Sequence, residues 1–538
     1  MTRERIYLFD TTLRDGQQTP GVDFSVEDKI AISAMLDNFG LDYVEGGYPG
    51  ANATDTAFFS EKRTQKASFV AFGMTKRAGI SASNDLGLAT LLQARSDAIC
   101  FVAKSWDYHV RVALGCSNEE NLQSIRESVE AARAVGREAL VDCEHFFDGY
   151  KANPDYALSC ARTAYEAGAR WVVLCDTNGG TQPAEIREIV GAVIAAGIPG
   201  SSLGIHAHDD TGQAVANSLA AVESGCRQIQ GTLNGIGERC GNANLVTLIA
   251  TLSLKEGYSS RFETGIDAVR LEGLTNLSHA FDELLNRSPN HQAPYVGASA
   301  FATKAGIHAS ALLKDPRTYE HVAPESVGNF RKMMVSDQGG KSNFINALKR
   351  RGIEVSKDDP KLDLLISIVK EREATGYAYE GADASFELLA HRTLGTIPEF
   401  FTVDSFRVMV ERRFDANGRI KTVSEAVVKL DVDGEQVMSV AEGDGPVNAL
   451  DLALRKDLGK YQAEISDLVL ADFKVRILNG GTAAITRVLI ESTDGDGTRW
   501  WTVGVSENII DASFQALTDS IVYKLMKNRH MAGRIAAE

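Results

Sequence analysis

Paired cysteines, an excess of positive charge and long apolar runs are all missing from this chain of 538 residues. Its seven cysteines (Cys100, Cys116, Cys143, Cys160, Cys175, Cys226 and Cys240) are odd in number, form no C-x-x-C pair and all fall in the first half. That excludes a disulfide framework or a zinc ribbon and fits a reducing compartment. Acidic residues outnumber basic ones 72 to 56, a formal net charge of −16. With no basic stripe to displace counterions from phosphates, nucleic acid is not an expected partner. No run approaches the length of a membrane span, so no membrane partner is expected. The apolar stretch in "MTRERIYLFDTT" is too short for a signal peptide, which gives the expectation of a cytoplasmic protein.

What the chain does have is rhythm. Short β-rich runs recur as "IYLFD", "YVEGG", "SFVAFGM", "AICFVAK", "EALVDCEHF", "WVVLCDTNG", "LGIHAHD" and "QIQGTLNGIG". Amphipathic stretches such as "NLQSIRESVEAARAVG" lie between them. Eight strand–helix units in about 250 residues predict a (β/α)8 TIM barrel, with a doubly wound open sheet as the competing α/β arrangement. The barrel is favoured by where polar residues fall. Arg14 and Asp15, Glu45, Lys104, Glu144, Thr177, His206 and His208, and Asn234 all sit at or just past the ends of these runs. In a barrel those ends converge on one mouth; in an open sheet they spread along an edge. The rhythm lapses after about residue 250, and from about residue 400 long alternating strands are followed twice by a helical run, a weak repeat of α+β type. The expected division is a barrel over 1–275, helical linker subdomains over 276–398 and a C-terminal α+β domain over 399–538, the last a folding or sensing unit rather than a second catalytic centre.

The stretch "GIHAHDDTG" places His206 and His208 two apart in an extended run, so both imidazoles point the same way. Asp15 after the first strand and Asn242 after the last complete a mixed N/O set suited to Mg²⁺ or Mn²⁺. Four protein ligands leave about two positions of an octahedral site for substrate or water. The plain alternative is a hydrogen-bonded histidine pair at a strand end. "GIGERCG" resembles a dinucleotide fingerprint, but it follows the last strand and its spacing is G-x-G-x-x-x-G. Gly235, Gly237 and Gly241 are instead candidates for receiving the phosphate-bearing tail of a coenzyme, or simply a turn.

Three ordered motifs, "LFDTTLRDGQQTPG", "HAHDDTGQAVANSLAAVESG" and "GTLNGIGERCGNANL", resemble the 2-isopropylmalate/homocitrate/citramalate synthase family of metal-dependent Claisen-type condensing enzymes. "VEGGYPGANATDTAFF" and "DCEHFFDGYKANPDYA" are most similar to its longer (R)-citramalate synthase type. The resemblance spans nearly the whole chain, including a C-terminal module like the family's allosteric domain. It implies condensation of acetyl-CoA with pyruvate, thioester hydrolysis, a role in isoleucine synthesis, isoleucine as feedback effector and a homodimer or higher oligomer. It assigns Asp15, His206, His208 and Asn242 to the metal. Arg14 is assigned to the developing alkoxide, Glu45 to orienting that arginine and Thr177 to the substrate carboxylate. Glu144, at the end of the fifth strand, is the first choice for the base that deprotonates the acetyl methyl. His308 and Tyr319 match linker residues that the family brings over the barrel. The acidic residue that many relatives carry two positions after that histidine is Ser310 here.

Isopropylmalate or homocitrate synthesis is the nearest alternative, differing in the side-chain pocket; Met74 and Phe101 are placed to shape it, with core packing the expected role for both. A hydroxymethylglutaryl-CoA-type lyase would use Cys240 in its glycine-rich loop, but such lyases lack the long C-terminal half. A non-catalytic effector-binding protein is a third class, disfavoured by intact metal and arginine motifs.

Overall fold

The computed structural model describes residues 3–333, 340–414, 418–479 and 484–535. The chain divides into two compact units, one of Met1–Phe301 with His321–Arg331 and one of Ala302–Glu320 with Lys332–Glu538.

The first unit is a closed barrel of eight parallel strands. In chain order they are β1 (Tyr7–Asp10), β2 (Tyr43–Gly47), β3 (Ser68–Met74), β4 (Ala98–Lys104), β5 (Glu138–Glu144), β6 (Trp171–Asp176), β7 (Leu203–Ala207) and β8 (Gln228–Gly231). β8 closes the ring by pairing with β1, Tyr7 opposite Gln228 and Asp10 opposite Gly231. Alternation along the strands fills two separate cores. Phe9, Tyr43, Val70, Cys100, Leu140, Trp171 and Val173 pack together in one. Val44, Phe69, Ile99, Val141, Val172 and Ile205 meet the helices in the other. Both faces are buried, so the strands read as near-continuous apolar runs. The helices start where the sequence supplies caps: Ser25 with Asp28 and Ser117 with Glu120 form capping boxes.

In the second unit, helices Lys341–Arg350, Pro360–Ala374 and Asp383–Leu394 precede two antiparallel three-stranded sheets. These are β9 (Thr402–Phe414), β10 (Ile420–Val432) and β11 (Glu435–Gly443), then β12 (Val469–Ile477), β13 (Thr486–Thr493) and β14 (Arg499–Ser506). Each sheet is followed by or packed with a helix, Pro446–Arg455 and Ile509–Ile535, which is the repeat that the sequence predicts. Ala426, Val428 and Leu430 from one sheet and Val488 and Ile490 from the other share a core with Leu450, Leu454, Leu517 and Leu525. Residues 480–483, in the turn before β13, lie outside the described residues. Among the described residues, no helix is long and apolar enough to cross a membrane.

Candidate active site

The mouth of the barrel begins in the turn after β1. Asp10 accepts from the backbone N–H of Thr12 at 2.9 Å and from its hydroxyl at 2.7 Å. The Thr11 carbonyl accepts from the N–H groups of Arg14, Asp15 and Gly16 at 3.1, 2.8 and 3.1 Å. This winding turns Arg14 and Asp15 over the strand end. Arg14 donates from Nε to Glu45 Oε2 at 2.7 Å and lies 4.0 Å from the centre of the Phe72 ring. The turn is braced from outside the barrel by Lys29, a fully buried lysine of helix Val26–Phe39. Its Nζ donates to the carbonyls of Leu13 (2.8 Å) and Gly46 (3.0 Å) and pairs with Asp55.

β7 delivers His206 and, one residue past its end, His208; the loop after β8 delivers Asn242, bridged by its backbone to His208. Asp15 Oδ2 lies 3.1 Å from His206 Nε2, 3.8 Å from His208 Nε2 and 2.8 Å from Asn242 Nδ2. The two Nε2 atoms are 3.2 Å apart. Adjacent ligands of an octahedral divalent ion with bonds near 2.1 Å stand about 3 Å apart, so these spacings suit one. All four side chains are buried, and Asn242 Oδ1 and His208 Nδ1 have no hydrogen-bond partner among the described residues. A half-turn of the Asn242 amide, isosteric at its two ends, brings Oδ1 to face the ion. Asp15, Glu45 and Asp142 all act on the single guanidinium of Arg14. The acids outnumber the guanidinium, an excess that a divalent cation would relieve. The residues present therefore fit a metal.

Electrostatics follow from this crowding. Burial opposes the charge on Asp15, but Arg14 and the two imidazoles outweigh it and hold the carboxyl well below its usual range. Burial likewise opposes protonation of His206, and the Asp15 hydrogen bond and charge overcome it, raising its pKa. His208 is pushed down to about 3 by burial and by His206. Glu45 is pushed up to about 7, by burial first, with Arg14 pulling the other way and Asp142 adding to the rise.

The glycines of "GIGERCG" have steric reasons to be there. A Cβ at Gly237 would stand 1.9 Å from Asn242 Oδ1, and one at Gly241 would stand 2.1 Å from the Gly235 carbonyl oxygen. Gly235 and Gly241 also take φ of 70° and 96°, the left-handed region. They fold the loop tightly enough to seat Asn242. Asn234, a polar residue at the end of β8, instead turns outward, donating to the Ser278 carbonyl and Asp282.

Glu144 ends β5 in register with Lys104 at the end of β4, and the two side chains form an ion pair. The Thr177 hydroxyl accepts from the His145 N–H at 2.8 Å, which leaves its own proton to donate. The Thr177 carbonyl accepts from Arg239, which also holds Asp210 in a two-bond pair and so ties the loops after β6, β7 and β8 together. Phe101 packs between strands and helices, whereas Met74 lines a cavity of about 410 Å³ with Tyr48, Thr75 and Asn121. Cys240 is exposed. His308 and Tyr319 belong to the second unit, their rings 4.2 Å apart. Ser310 follows on the same helix, Gly306–Lys314.

Sequence reasoning missed the floor beneath these groups. Asp142 and Gln230 are buried polar residues inside the barrel, with Cys100 beside Asp142. Glu45, Cys100 and Asp142 form a second cluster whose ligand atoms lie within 4.8 Å of one another. The available signal was Gln-x-Gln in "QIQG": amides at alternate positions of a strand buried on both faces.

Comparison with known proteins agrees with this architecture. Residues 5–277 match the HMGL-like family, 295–373 the homocitrate synthase post-HMGL domain-like family and 380–525 the LeuA allosteric (dimerisation) domain. The chain is 49% identical to an (R)-citramalate synthase of Aquifex aeolicus, over 98% of both chains. It is 49% identical to one of Streptomyces coelicolor, over 97% of both. A probable 2-isopropylmalate synthase of Methanopyrus kandleri is 32% identical, over 96% of this chain and 98% of its own. With an HMGL-like barrel, a LeuA-type C-terminal domain and full-length relatives of this kind, the chain belongs to the (R)-citramalate synthase family.

Proposed function

We propose that this protein makes (R)-citramalate by a Claisen-type condensation of acetyl-CoA with pyruvate, followed by hydrolysis of the thioester. The observation that carries the chemistry is the buried set Asp15, His206, His208 and Asn242 beside the Arg14–Glu45 pair. Those four side chains would hold a divalent cation, Mg²⁺ or Mn²⁺, whose Lewis acidity polarises the keto group of a 2-oxoacid. Thr177 donates its hydroxyl proton to the substrate carboxylate and orients the acid. Glu144 takes a proton from the acetyl methyl once Lys104 releases it, and the resulting carbanion attacks the keto carbon. Arg14, held flat by Glu45 and Phe72, stabilises the oxygen as it becomes an alkoxide. That oxygen is then protonated to the hydroxyl, and water cleaves the thioester to free CoA and citramalate. His308 and Tyr319 are assigned to assisting proton transfer from the linker, and Gly235, Gly237 and Gly241 to the approach of the coenzyme tail.

We assign the barrel to 1–275, the linker to 276–398 and a regulatory, dimerising domain to 399–538, a division supported by the three family matches. Isoleucine is the proposed effector of the last, and the cytoplasm the proposed location. The test is CoA release with pyruvate, 2-oxoisovalerate or 2-oxoglutarate as co-substrate, before and after chelation. Release with pyruvate, lost on chelation and restored by Mn²⁺, is expected. Release with 2-oxoisovalerate alone would overturn the citramalate reading in favour of isopropylmalate synthesis, which the 32% relative otherwise recommends only weakly.

A further inference from the structure

The barrel floor carries a chain of hydrogen bonds that the reaction above does not use. His206 of β7 and Gln230 of β8 are register partners on adjacent strands. His206 Nδ1 lies 2.8 Å from Gln230 Oε1, and Gln230 Nε2 donates to Asp142 Oδ1 at 2.9 Å across the lumen from β5. All three side chains are buried, so no water competes for these atoms.

The direction of this chain is fixed by its far end. A carboxylate only accepts. Asp142 takes the Gln230 amide on one side and has the Cys100 thiol close by. The amide nitrogen must therefore face Asp142, and the amide oxygen must face His206. Turning the amide over would set its oxygen against the carboxylate, two acceptors at hydrogen-bond distance with nothing between them. An amide oxygen can only accept, so His206 must carry a proton on Nδ1. That proton stays whether Nε2 is protonated or not. A neutral His206 is consequently held as the Nδ1–H tautomer, with the Nε2 lone pair aimed at Asp15, His208 and Asn242.

We propose that Asp142 and Gln230 are positioning residues that fix His206 as a metal ligand: the carboxylate orients the amide, and the amide selects the imidazole tautomer whose Nε2 is free to bind the ion. The inference rests on the metal reading of the site. Ligating histidines ordinarily give their second N–H to a carboxylate or carbonyl oxygen. Here an amide is interposed, so the orienting charge stands one residue further from the ion.

The test is Mn²⁺ binding to the substrate-free enzyme, followed by electron paramagnetic resonance. Gln230→Met keeps the side chain's bulk but removes the acceptor, and Mn²⁺ affinity is expected to fall 10–100-fold. Exchanging donor and acceptor in the double variant Gln230→Glu with Asp142→Asn keeps an acceptor on Nδ1 and is expected to bind within about threefold of wild type. A side chain that merely fills space predicts the opposite order. Wild-type affinity in Gln230→Met overturns the proposal, as does a swapped pair as weak as Gln230→Met. Failure of the wild-type enzyme to bind Mn²⁺ overturns the metal reading and this inference with it. A second measurement needs no altered fold: ¹⁵N-histidine spectra of the Mg²⁺-loaded wild type, with His206 assigned by its loss in His206→Gln. A protonated Nδ1 is expected; a protonated Nε2 overturns the proposal.

Discussion

The two units handle buried charge in opposite ways. At the barrel mouth, three carboxylates face one guanidinium, and Glu45 is displaced upward to about 7 as a result of burial among them. In the second unit, Asp494 and Asp467 meet Lys524 and Lys527, two acids against two ammonium groups. Burial opposes the charge on Asp494, yet its two lysines outweigh this and hold its carboxyl low. The second arrangement is electrically closed and serves the fold. The first is left with more acid than base, an excess that a bound cation would relieve. A buried acid that its own chain has not neutralised marks a place where something binds; one that has been neutralised marks a joint.

Substitutions at the two places should therefore separate activity from stability. Asp15→Ala removes a proposed metal ligand and is expected to lower turnover about 10³-fold, the equivalent of about 4 kcal/mol of lost stabilisation, as read by CoA release. Unchanged turnover would end the contrast. Asp494→Ala leaves Lys524, at 5% side-chain exposure, with Asp467 as its remaining acid and takes from Lys527 its buried partner, and should cost about 1–3 kcal/mol in the stability of the second unit. CoA release by the folded variant should stay within about twofold, since the pair touches no reacting group.

pH sharpens the same contrast. Asp10 is pushed up to about 7, chiefly by burial, and Glu45 likewise. A carboxyl whose folded pKa is raised binds more protons folded than unfolded. Its contribution is present at acid pH and is lost as pH rises from its unfolded value, near 4, through 7. For Asp494, with a depressed folded pKa, the contribution is present above about 4 and lost as pH falls further. Calorimetry of the metal-free protein between pH 3 and 8 should show only a shallow loss of barrel stability from about pH 4 to 7, because His208, depressed to about 3, gains over the range in which Asp10 and Glu45 lose. It should show the second unit weakening below about pH 4. Mn²⁺ should flatten the barrel's slope, because it favours the charged carboxylates. The smallest effect is expected from Gly237→Ala, whose methyl group presses on Asn242. Mn²⁺ affinity should drop about tenfold with little change in melting temperature.

Much of the barrel mouth is legible from sequence because its strand ends break an apolar pattern: Asp15, Glu45, Glu144 and His206 stand out against Val, Ile and Phe. His206 and His208 share a face by the two-residue period alone, and Asn242 follows from its place after the last strand. The floor is harder to read. Asp142 and Gln230 sit within strands rather than at their ends, 88 residues apart, and their pairing depends on closure of the ring. Lys29 is equally silent, since a lysine in "VEDKIAISAML" reads as a solvated helix position until the helix packs. The lysine–aspartate joint of the second unit, Asp494 with Lys524, crosses 30 residues from a turn to a helix, with no local pattern to announce it.

Lys29 grips the carbonyl of the residue just before Arg14 and that of the residue just after Glu45. The spacing of the arginine–glutamate couple is thus gauged by a helix on the outer ring, as a jig holds two parts while they are joined. Every contact of that jig lies between residues 13 and 55. The first two strand–helix units accordingly carry the whole of that jig, whereas the histidines beside the couple stand some 150 residues further along the chain.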